Sequence, residues 1–282
     1  MKIQFTKMHG LGNDFMVIDG VNQRIQPTAD QIIAWSRRDT GIGFDQCLLI
    51  EASTEPNVDF FYRIFNADGN EVGQCGNGAR CLARFVLRQN LTTKKNISIA
   101  TRTTRMQLHI LPDDTVTIDM GIPQLTPASI PLKMPNKKTY YPIPLPNHTY
   151  DVHAINVGNP HAVLLVDDLS HSQIHYLGKQ ISEHPLFPEQ TNVGFMHIRD
   201  ANRIDLRVYE RGCGETQACG SGAVAAVAVG RLYHDLAEKV IVNLPGGQLS
   251  VTWPTMDGPI YLNGPAVFVY DGIMESLCVS SY

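Results

Sequence analysis

No stretch of this 282-residue chain approaches the ~18 consecutive apolar residues of a membrane-spanning helix. A basic block is missing as well. Net charge is −4, and the densest basic cluster, Lys133, Lys137 and Lys138, lies scattered among prolines in what reads as a solvated loop. Nucleic acid and anionic membrane are therefore not expected partners. The start, MKIQFTKMHGLGNDF, breaks any apolar run with Lys7, His9 and Asp14, so it is not expected to serve as a secretory signal. The expected location is cytoplasmic, where the six cysteines stay reduced and a disulfide framework is the wrong default. There is no G-x-x-x-x-G-K-[ST] loop and no complete G-x-G-x-x-G fingerprint after a strand, which leaves nucleotide binding unsupported. Metal signatures are equally thin. HSQIH spaces His171 and His175 four apart but lacks the glutamate of H-E-x-x-H, and reads as a solvated helix face. The spacings Cys75/Cys81 and Cys213/Cys219 exceed the C-x2–4-C of zinc sites, and six residues turn a helix by about 240°. No metal is expected.

What the chain does have is globular material, 43% hydrophobic and 18% charged, at a length that favours two domains. Its most informative feature is an internal duplication. YRIFNADGNEVGQCGNGA, from Tyr62 to Ala79, aligns without gaps on LRVYERGCGETQACGSGA, from Leu206 to Ala223. Arg63 falls on Arg207, Asn66 on Glu210, Cys75 on Cys219 and Ala79 on Ala223, all at one offset of 144 residues. LGNDFMVID around Asn13 resembles VGNPHAVLLVDD around Asn159, and IDMGIP, ending at Pro123, resembles YLNGP, ending at Pro265. Self-similarity on this scale indicates two lobes of one fold.

Within each half the pattern is strands, a helix, then more strands. Alternating apolar runs at 59–65, 98–100, 106–111, 115–119 and 162–166 favour β structure. Helices are expected from Gly76 to Gln89, from Gly220 to Tyr233, and over Thr28–Arg38 and Ser172–Glu183. GSGAVAAVAVGRLY carries small apolar residues all round, the mark of an enclosed helix. The first cysteine-loop helix instead lines up Arg80, Arg84 and Arg88 on one face, which is expected to reach solvent. The proline-rich TPASIPLKMPNKKTYYPIPLPNH reads as a long extended linker or edge segment between the halves.

Both copies place a cysteine immediately before G-x-G-A, Cys75 before Gly76 and Cys219 before Gly220. Glycines permit close backbone approach, and a helix start offers unpaired N–H groups that bind anions, so a substrate carboxylate can sit beside each thiol. The same dipole favours thiolate, enough to lower a reference pKa of about 8.5 by about one unit. Further tuning needs a charged neighbour, for which Glu210 and His161 are candidates. Inverting a stereocentre by proton transfer needs a base on one face of the carbon and an acid on the other. Two matched thiols, one ionised and one not, fit that demand as a coupled pair.

These residues and their contexts resemble the diaminopimelate epimerase family over the whole chain. The motifs that carry the resemblance are MHGLGNDF (Met8–Phe15), GFDQ (Gly43–Gln46), FNADGNEVGQCGNGARC (Phe65–Cys81), NVGNPHAV (Asn156–Val163), TNVGF (Thr191–Phe195) and ERGCGETQACGSGA (Glu210–Ala223). The resemblance implies interconversion of LL- and meso-diaminopimelate without pyridoxal phosphate, metal or other cofactor. It implies Cys75 as proton donor and Cys219 as acceptor for LL substrate, with roles exchanged in reverse. Backbone donors at Gly76–Asn77 and Gly220–Ser221 would hold the reacting carboxylate. Asn13, Gln46, Asn66, Asn159, Asn192, Glu210 and Arg211 are matched binding positions, the arginine suiting a carboxylate. His161 and Glu210 are matched as tuners of the thiols, and Tyr270 as part of a homodimer interface. The expected architecture is α/β with two pseudo-symmetric lobes, each a mostly antiparallel or mixed sheet or barrel wrapped around a central helix. The active site is expected in the cleft between 1–120 plus 266–282, carrying Cys75, and 121–265, carrying Cys219.

Two positions depart from the family pattern: Tyr209 stands where tryptophan is frequent, and Cys213 adds a thiol to the glycine loop. Taken singly, most of these residues also have plainer readings. Cys47, Cys81 and Cys278 read as small buried hydrophobes, Asn13 and Asn159 as turn formers, and Glu210–Arg211 as a surface pair. Three other functions fit parts of the pattern: a proline or hydroxyproline racemase-type enzyme, a thiol redox or zinc protein, and an inactive binding module. The asparagine set with Arg211 favours a longer substrate with a second charged end.

Overall fold

The computed structural model describes residues 2–73, 75–169 and 174–275. The chain divides into two compact units, Met1–Ile118 with Gly264–Tyr282, and Asp119–Asn263. It is an α/β protein in which strands far outnumber helices.

The first unit opens with β1 (Lys2–Gly10) and β2 (Asn13–Asp19), an antiparallel pair closed by a two-residue turn. Leu11 and Gly12 both take positive φ there, 55° and 88°, the left-handed geometry that matches the twist of a tight hairpin. Asn13 is thereby fixed as the first residue of β2. Helix α1 (Ala29–Ser36) follows, started by a capping box between Thr28 and Gln31. Strand β3 (Gln46–Ala52) then runs parallel to β2 and antiparallel to β4 (Phe60–Asn66), placing Gln46 opposite Asn66. A short β5 (Glu71–Val72) leads to helix α2 (Gly76–Arg88), and β6 (Asn96–Ala100), β7 (Arg105–Ile110) and β8 (Val116–Asp119) complete the run. β6 lies parallel to β4, and β7 is antiparallel to both β6 and β8.

The second unit repeats this wiring. After β9 (Tyr141–Pro144), β10 (Thr149–Asn156) and β11 (Pro160–Leu165) form the antiparallel pair, with Gly158 at φ 102° in the turn that presents Asn159. Helix α3 (Ile174–Ser182) precedes β12 (Asn192–Asp200), which is parallel to β11 and antiparallel to β13 (Arg203–Glu210). β14 (Gly214–Thr216), α4 (Gly220–Tyr233), β15 (Lys239–Leu244), β16 (Gly247–Thr252) and β17 (Tyr261–Gly264) follow, with β15 parallel to β13 as β6 is to β4. The chain then returns to the first unit as β18 (Val267–Glu275), antiparallel to β1. The duplication thus extends beyond the aligned letters to every strand pairing from β1–β2 to β6–β7.

Each unit is centred on its cysteine-loop helix. α4 packs against β10, β11, β12, β13, β15 and β16, and its residues from Gly220 to Gly230 are buried except Ser221. Only small side chains let a helix be enclosed so fully. At Gly222 a Cβ would stand 2.8 Å from Cγ2 of Val208 on β13. Gly222→Ala is therefore expected to lower stability by about 1–3 kcal/mol despite alanine's better helix propensity, because a stiff β-branched neighbour must move. Urea denaturation midpoints check this, and adding Val208→Ala should recover most of the loss.

α2 packs against β1, β2, β3 and β7. The expected arginine face is only partly exposed. Arg84 and Arg88 reach Asp114 and Asp271 near the surface, but Arg80 is fully buried. A surface position was expected for Arg80 because of its charge; instead its guanidinium finds polar partners inside, Oδ1 of Asn77 at 2.8 Å and the carbonyl of Pro265 at 3.1 Å.

The proline-rich segment is not a free linker. Its Ile130, Leu132, Tyr141 and Ile143 join the core of the second unit, and β9 pairs with β10 as an edge strand, while Lys133, Lys137 and Lys138 stay exposed. Tyr209 also belongs to this core, its Cβ so close to α3 that a Cβ at Gly178 would stand 2.5 Å away. His171, the expected helix start at Ser172 and Cys278 lie outside the described residues.

Candidate active site

Cys75 is the N-cap of α2, with an extended backbone at φ −153° and ψ 107°. Its Sγ accepts from the Gly78 N–H at 3.3 Å and donates to Oδ1 of Asn13 at 3.9 Å. Asn13 is oriented from behind: its Nδ2 donates to Oδ2 of Asp45 at 3.0 Å, so its oxygen must face Cys75 and Asn77. Asn77 Nδ2 donates to that same oxygen at 3.3 Å. Asp45 belongs to an ion network with Arg38, Asp14 and the largely buried Lys7, whose ammonium also reaches the Gly43 carbonyl. Burial alone would raise Asp14's carboxyl, but Arg38 and Lys7 outweigh it and hold it at about 2. Across the β3–β4 pair, Gln46 Nε2 donates to Oδ1 of Asn66 at 2.8 Å, and Gln46 Oε1, also buried, has no hydrogen-bond partner among the described residues. Asn13, Gln46, Asn66, Cys75, Gly76 and Asn77 therefore lie at the adjoining ends of β2, β3, β4 and α2. Cys47 and Cys81 are buried neighbours, and burial pushes the Cys81 thiol up to about 12.

Cys219 occupies the same place in the second unit, as N-cap of α4, but it is 4% exposed. Its Sγ lies 3.6 Å from Oγ of Ser221. Burial pushes this thiol well above its ordinary value, the Glu210 carboxylate adds to the effect, and hydrogen bonds from Ser221 and Gly222 oppose it. The helix-start dipole was expected to lower it. The expectation fails because a dipole shifts a thiol by about one unit, whereas full desolvation shifts one by up to 3–5 units. Glu210 is held by Thr216, whose Oγ1 donates to Oε1 at 2.6 Å.

His161 is also fully buried, its Nε2 3.1 Å from Oδ1 of Asn159 and 3.4 Å from Nδ2 of Asn192. Asn192 turns its oxygen to the Arg211 backbone N–H at 3.0 Å, and the exposed Arg211 side chain donates to the Glu189 carbonyl. Burial, and secondarily Arg211, lower His161 to about 3, so it is neutral at physiological pH and cannot assist Cys219 as a cation. His153, also buried, falls to about 4. Both histidines bind protons more readily when unfolded, so the stability they support is present above about 6.5 and is lost as pH falls from there towards 4 and 3. Thermal melting should fall between pH 7 and 5, and less steeply in His161→Gln; equal slopes would show that His161 is not buried in neutral form.

The two constellations coincide strand for strand. Phe15 faces Gln46 across β2–β3 just as His161 faces Asn192 across β11–β12. The family model described as diaminopimelate epimerase matches residues 5–126 and 153–269, which include every one of these positions.

The chain belongs to the diaminopimelate epimerase family.

It is 58% identical to diaminopimelate epimerase of Legionella pneumophila (strain Corby) over 98% of this chain and all of that one. Against the diaminopimelate epimerase of Pseudomonas syringae pv. tomato it is 48% identical, over 96% of this chain and 99% of the relative. Solved structures share the two-lobed fold at low identity. A hydroxyproline epimerase from Agrobacterium vitis superposes with a TM-score of 0.68 at 13% identity, covering 97% of this chain and 92% of that one. A PhzF-family protein from Bacillus anthracis gives 0.66 at 14% identity, covering 98% and 99%.

In this diaminopimelate epimerase-family chain two residues take roles that their sequence pattern does not reveal. Asp45 lies inside the quoted GFDQ motif, next to Gln46, yet only folding shows that it turns Asn13. Arg80 lies inside GNGARC, at a spacing from Arg84 and Arg88 that suggests a surface face, yet it is fully buried. Cys213 is exposed in the turn after β13. Among the described residues no three of His, Cys, Asp and Glu converge as metal ligands do, and no helix is long and apolar enough to cross a membrane.

Proposed function

We propose that this chain is a diaminopimelate epimerase, an isomerase that interconverts LL- and meso-2,6-diaminopimelate for lysine and peptidoglycan precursor synthesis. The observation that carries the reading is the pair of cysteines capping the equivalent helices of a duplicated fold, in a chain of this family. One thiolate removes the α-proton and the other thiol delivers a proton to the opposite face of the carbon. With LL substrate Cys219 accepts and Cys75 donates, and the meso direction reverses them. The N–H groups at Gly76–Asn77 and Gly220–Ser221, at the two helix starts, receive the reacting carboxylate and stabilise the charge that develops as the proton leaves. Asn13, Gln46, Asn66, Asn159, Asn192 and Arg211 read the remaining amino and carboxylate groups. Glu210 tunes Cys219, and neutral His161 positions Asn159 and Asn192.

The protein acts in the cytoplasm as a homodimer through a face that includes Tyr270. In support, β18 leaves Val267, Val269, Tyr270 and Ile273 exposed, an apolar set that water does not favour. Incubating the protein with LL-diaminopimelate and resolving the isomers by chiral chromatography tests the activity. Accumulation of the meso form is expected, and an unchanged LL pool rejects the reading.

A further inference from the structure

Arg80 is the least expected residue in the molecule. It is fully buried, yet no carboxylate lies within ion-pair distance of it among the described residues, and its Nη1 has no hydrogen-bond partner among them. Burying a cation costs several kcal/mol unless an anion or a full set of acceptors compensates it. The fold itself does not demand the arginine. At the offset of 144 that relates the two cysteine helices, Arg80 corresponds to Val224, which is buried and apolar. One copy of the same helix thus holds a valine where the other holds a buried charge with two neutral acceptors and no ionic partner among the described residues.

The guanidinium is aimed through a short relay. Nη2 donates to Oδ1 of Asn77 at 2.8 Å, which turns Asn77 Nδ2 to Oδ1 of Asn13; that oxygen accepts from Cys75 Sγ at a long 3.9 Å, which favours the thiol, while the Gly78 N–H donating to Sγ at 3.3 Å favours the thiolate. Arg80 senses charge on Cys75 and on Cys81, but burial keeps Cys81 a thiol, so Cys75 is the anion its charge can serve. Other ionisable groups around α2 do not compete. Burial keeps Tyr62, whose hydroxyl donates to the Cys75 carbonyl, and Cys47 in their neutral forms. Lys7, Asp14, Arg38 and Asp45 neutralise one another. Arg84 and Arg88 on α2 itself are paired with Asp114 and Asp271, and His9 on β1 has a buried Nδ1 without a hydrogen-bond partner among the described residues. The second copy has the opposite polarity: a carboxylate, Glu210, stands beside Cys219 where the first copy has the neutral Asn66 beside Gln46.

We propose that Arg80 is a positioning residue of the Cys75 site, whose buried charge, set in place by Asn77, favours the Cys75 thiolate. The resting protein then carries its base on Cys75 and its acid on Cys219. That form is loaded to remove a proton from meso substrate, and the LL direction first requires one proton to pass from Cys219 to Cys75, with no net gain or loss. The inference rests on the reading of Cys75 as an acid–base group, but its test does not require turnover.

The rate of Cys75 alkylation by iodoacetamide, followed by peptide mass spectrometry across pH, gives the thiol's titration directly. In the wild-type protein Cys75 is expected to titrate below the ~8.5 of a free thiol. Arg80→Met is expected to move its midpoint up by about one unit or more, and Arg80→Lys, which keeps the charge, to restore most of the shift. A midpoint at or above 8.5 in the wild type overturns the proposal, whether or not the variants fold. So does a midpoint unmoved in a folded Arg80→Met, even if its activity falls, because a purely structural role would leave the titration alone. Retained epimerisation by Cys75→Ala overturns the acid–base reading instead, so the two failures are distinguishable.

Discussion

Replacing either Cys75 or Cys219 with alanine is expected to reduce epimerisation by roughly 10⁴-fold, the upper end for loss of one general acid–base group. Inversion needs a proton-transfer group on each face of the carbon. The side chains that the structure places by Cys75 include the Asn13 and Asn77 amides, the Cys81 thiol and Tyr62 phenol that burial keeps neutral, and the Arg80 guanidinium, and none of these can replace it. Around Cys219 the nearest candidate, Glu210, already holds the Thr216 hydroxyl. Stability should respond differently from activity. Cys75→Ala removes a side-chain cap and should cost about 1 kcal/mol, far too little to unfold the chain. Steady-state assays with circular dichroism separate the two effects. A folded single variant that retained even a tenth of the activity would remove the two-thiol mechanism.

Arg211→Ala is expected to lower kcat/KM for diaminopimelate by roughly 10–100-fold, corresponding to about 1.5–3 kcal/mol for charge-assisted hydrogen bonds to a carboxylate. Stability should hardly change, since the side chain is exposed and its one acceptor among the described residues is a backbone carbonyl. The backbone N–H of Arg211 also fixes the oxygen of Asn192, and alanine preserves that bond. The variant thus removes the guanidinium while sparing the frame around it. The decisive comparison is with a short amino acid that lacks a distal carboxylate. If the wild type turned it over as readily as diaminopimelate, or if Arg211→Ala impaired both equally, Arg211 would not be reading the distal end.

Much of this was legible in the letters because a duplicated chain states its pattern twice. The alignment of Tyr62–Ala79 on Leu206–Ala223 located both cysteines, both helix starts and the strands leading to them. GSGAVAAVAVG, free of any large side chain, announced an enclosed helix. The failures share one cause, that burial is a property of packing rather than of residue type. Arg80 recurs with Arg84 and Arg88 at surface-like spacing, and only the fold shows it covered while they reach acidic partners. The Cys219 loop reads as a mirror of the Cys75 loop, yet its thiol is more deeply enclosed and has a carboxylate beside it. Asp45 turns Asn13 across 32 residues of sequence, a relation that no local pattern encodes.

The most direct test of the central claim is the first turnover of unlabelled LL-diaminopimelate in heavy water. Two opposed thiols predict that each new meso molecule carries deuterium at the inverted carbon, delivered by a thiol already exchanged with solvent. The remaining LL pool should stay unlabelled at early times, because the abstracted proton sits on a different sulfur. Nuclear magnetic resonance of the α-position, or mass spectrometry after chiral separation, reads both quantities. Meso product that kept its original proton would mean that one group lifts and returns it, and would contradict the two-cysteine account.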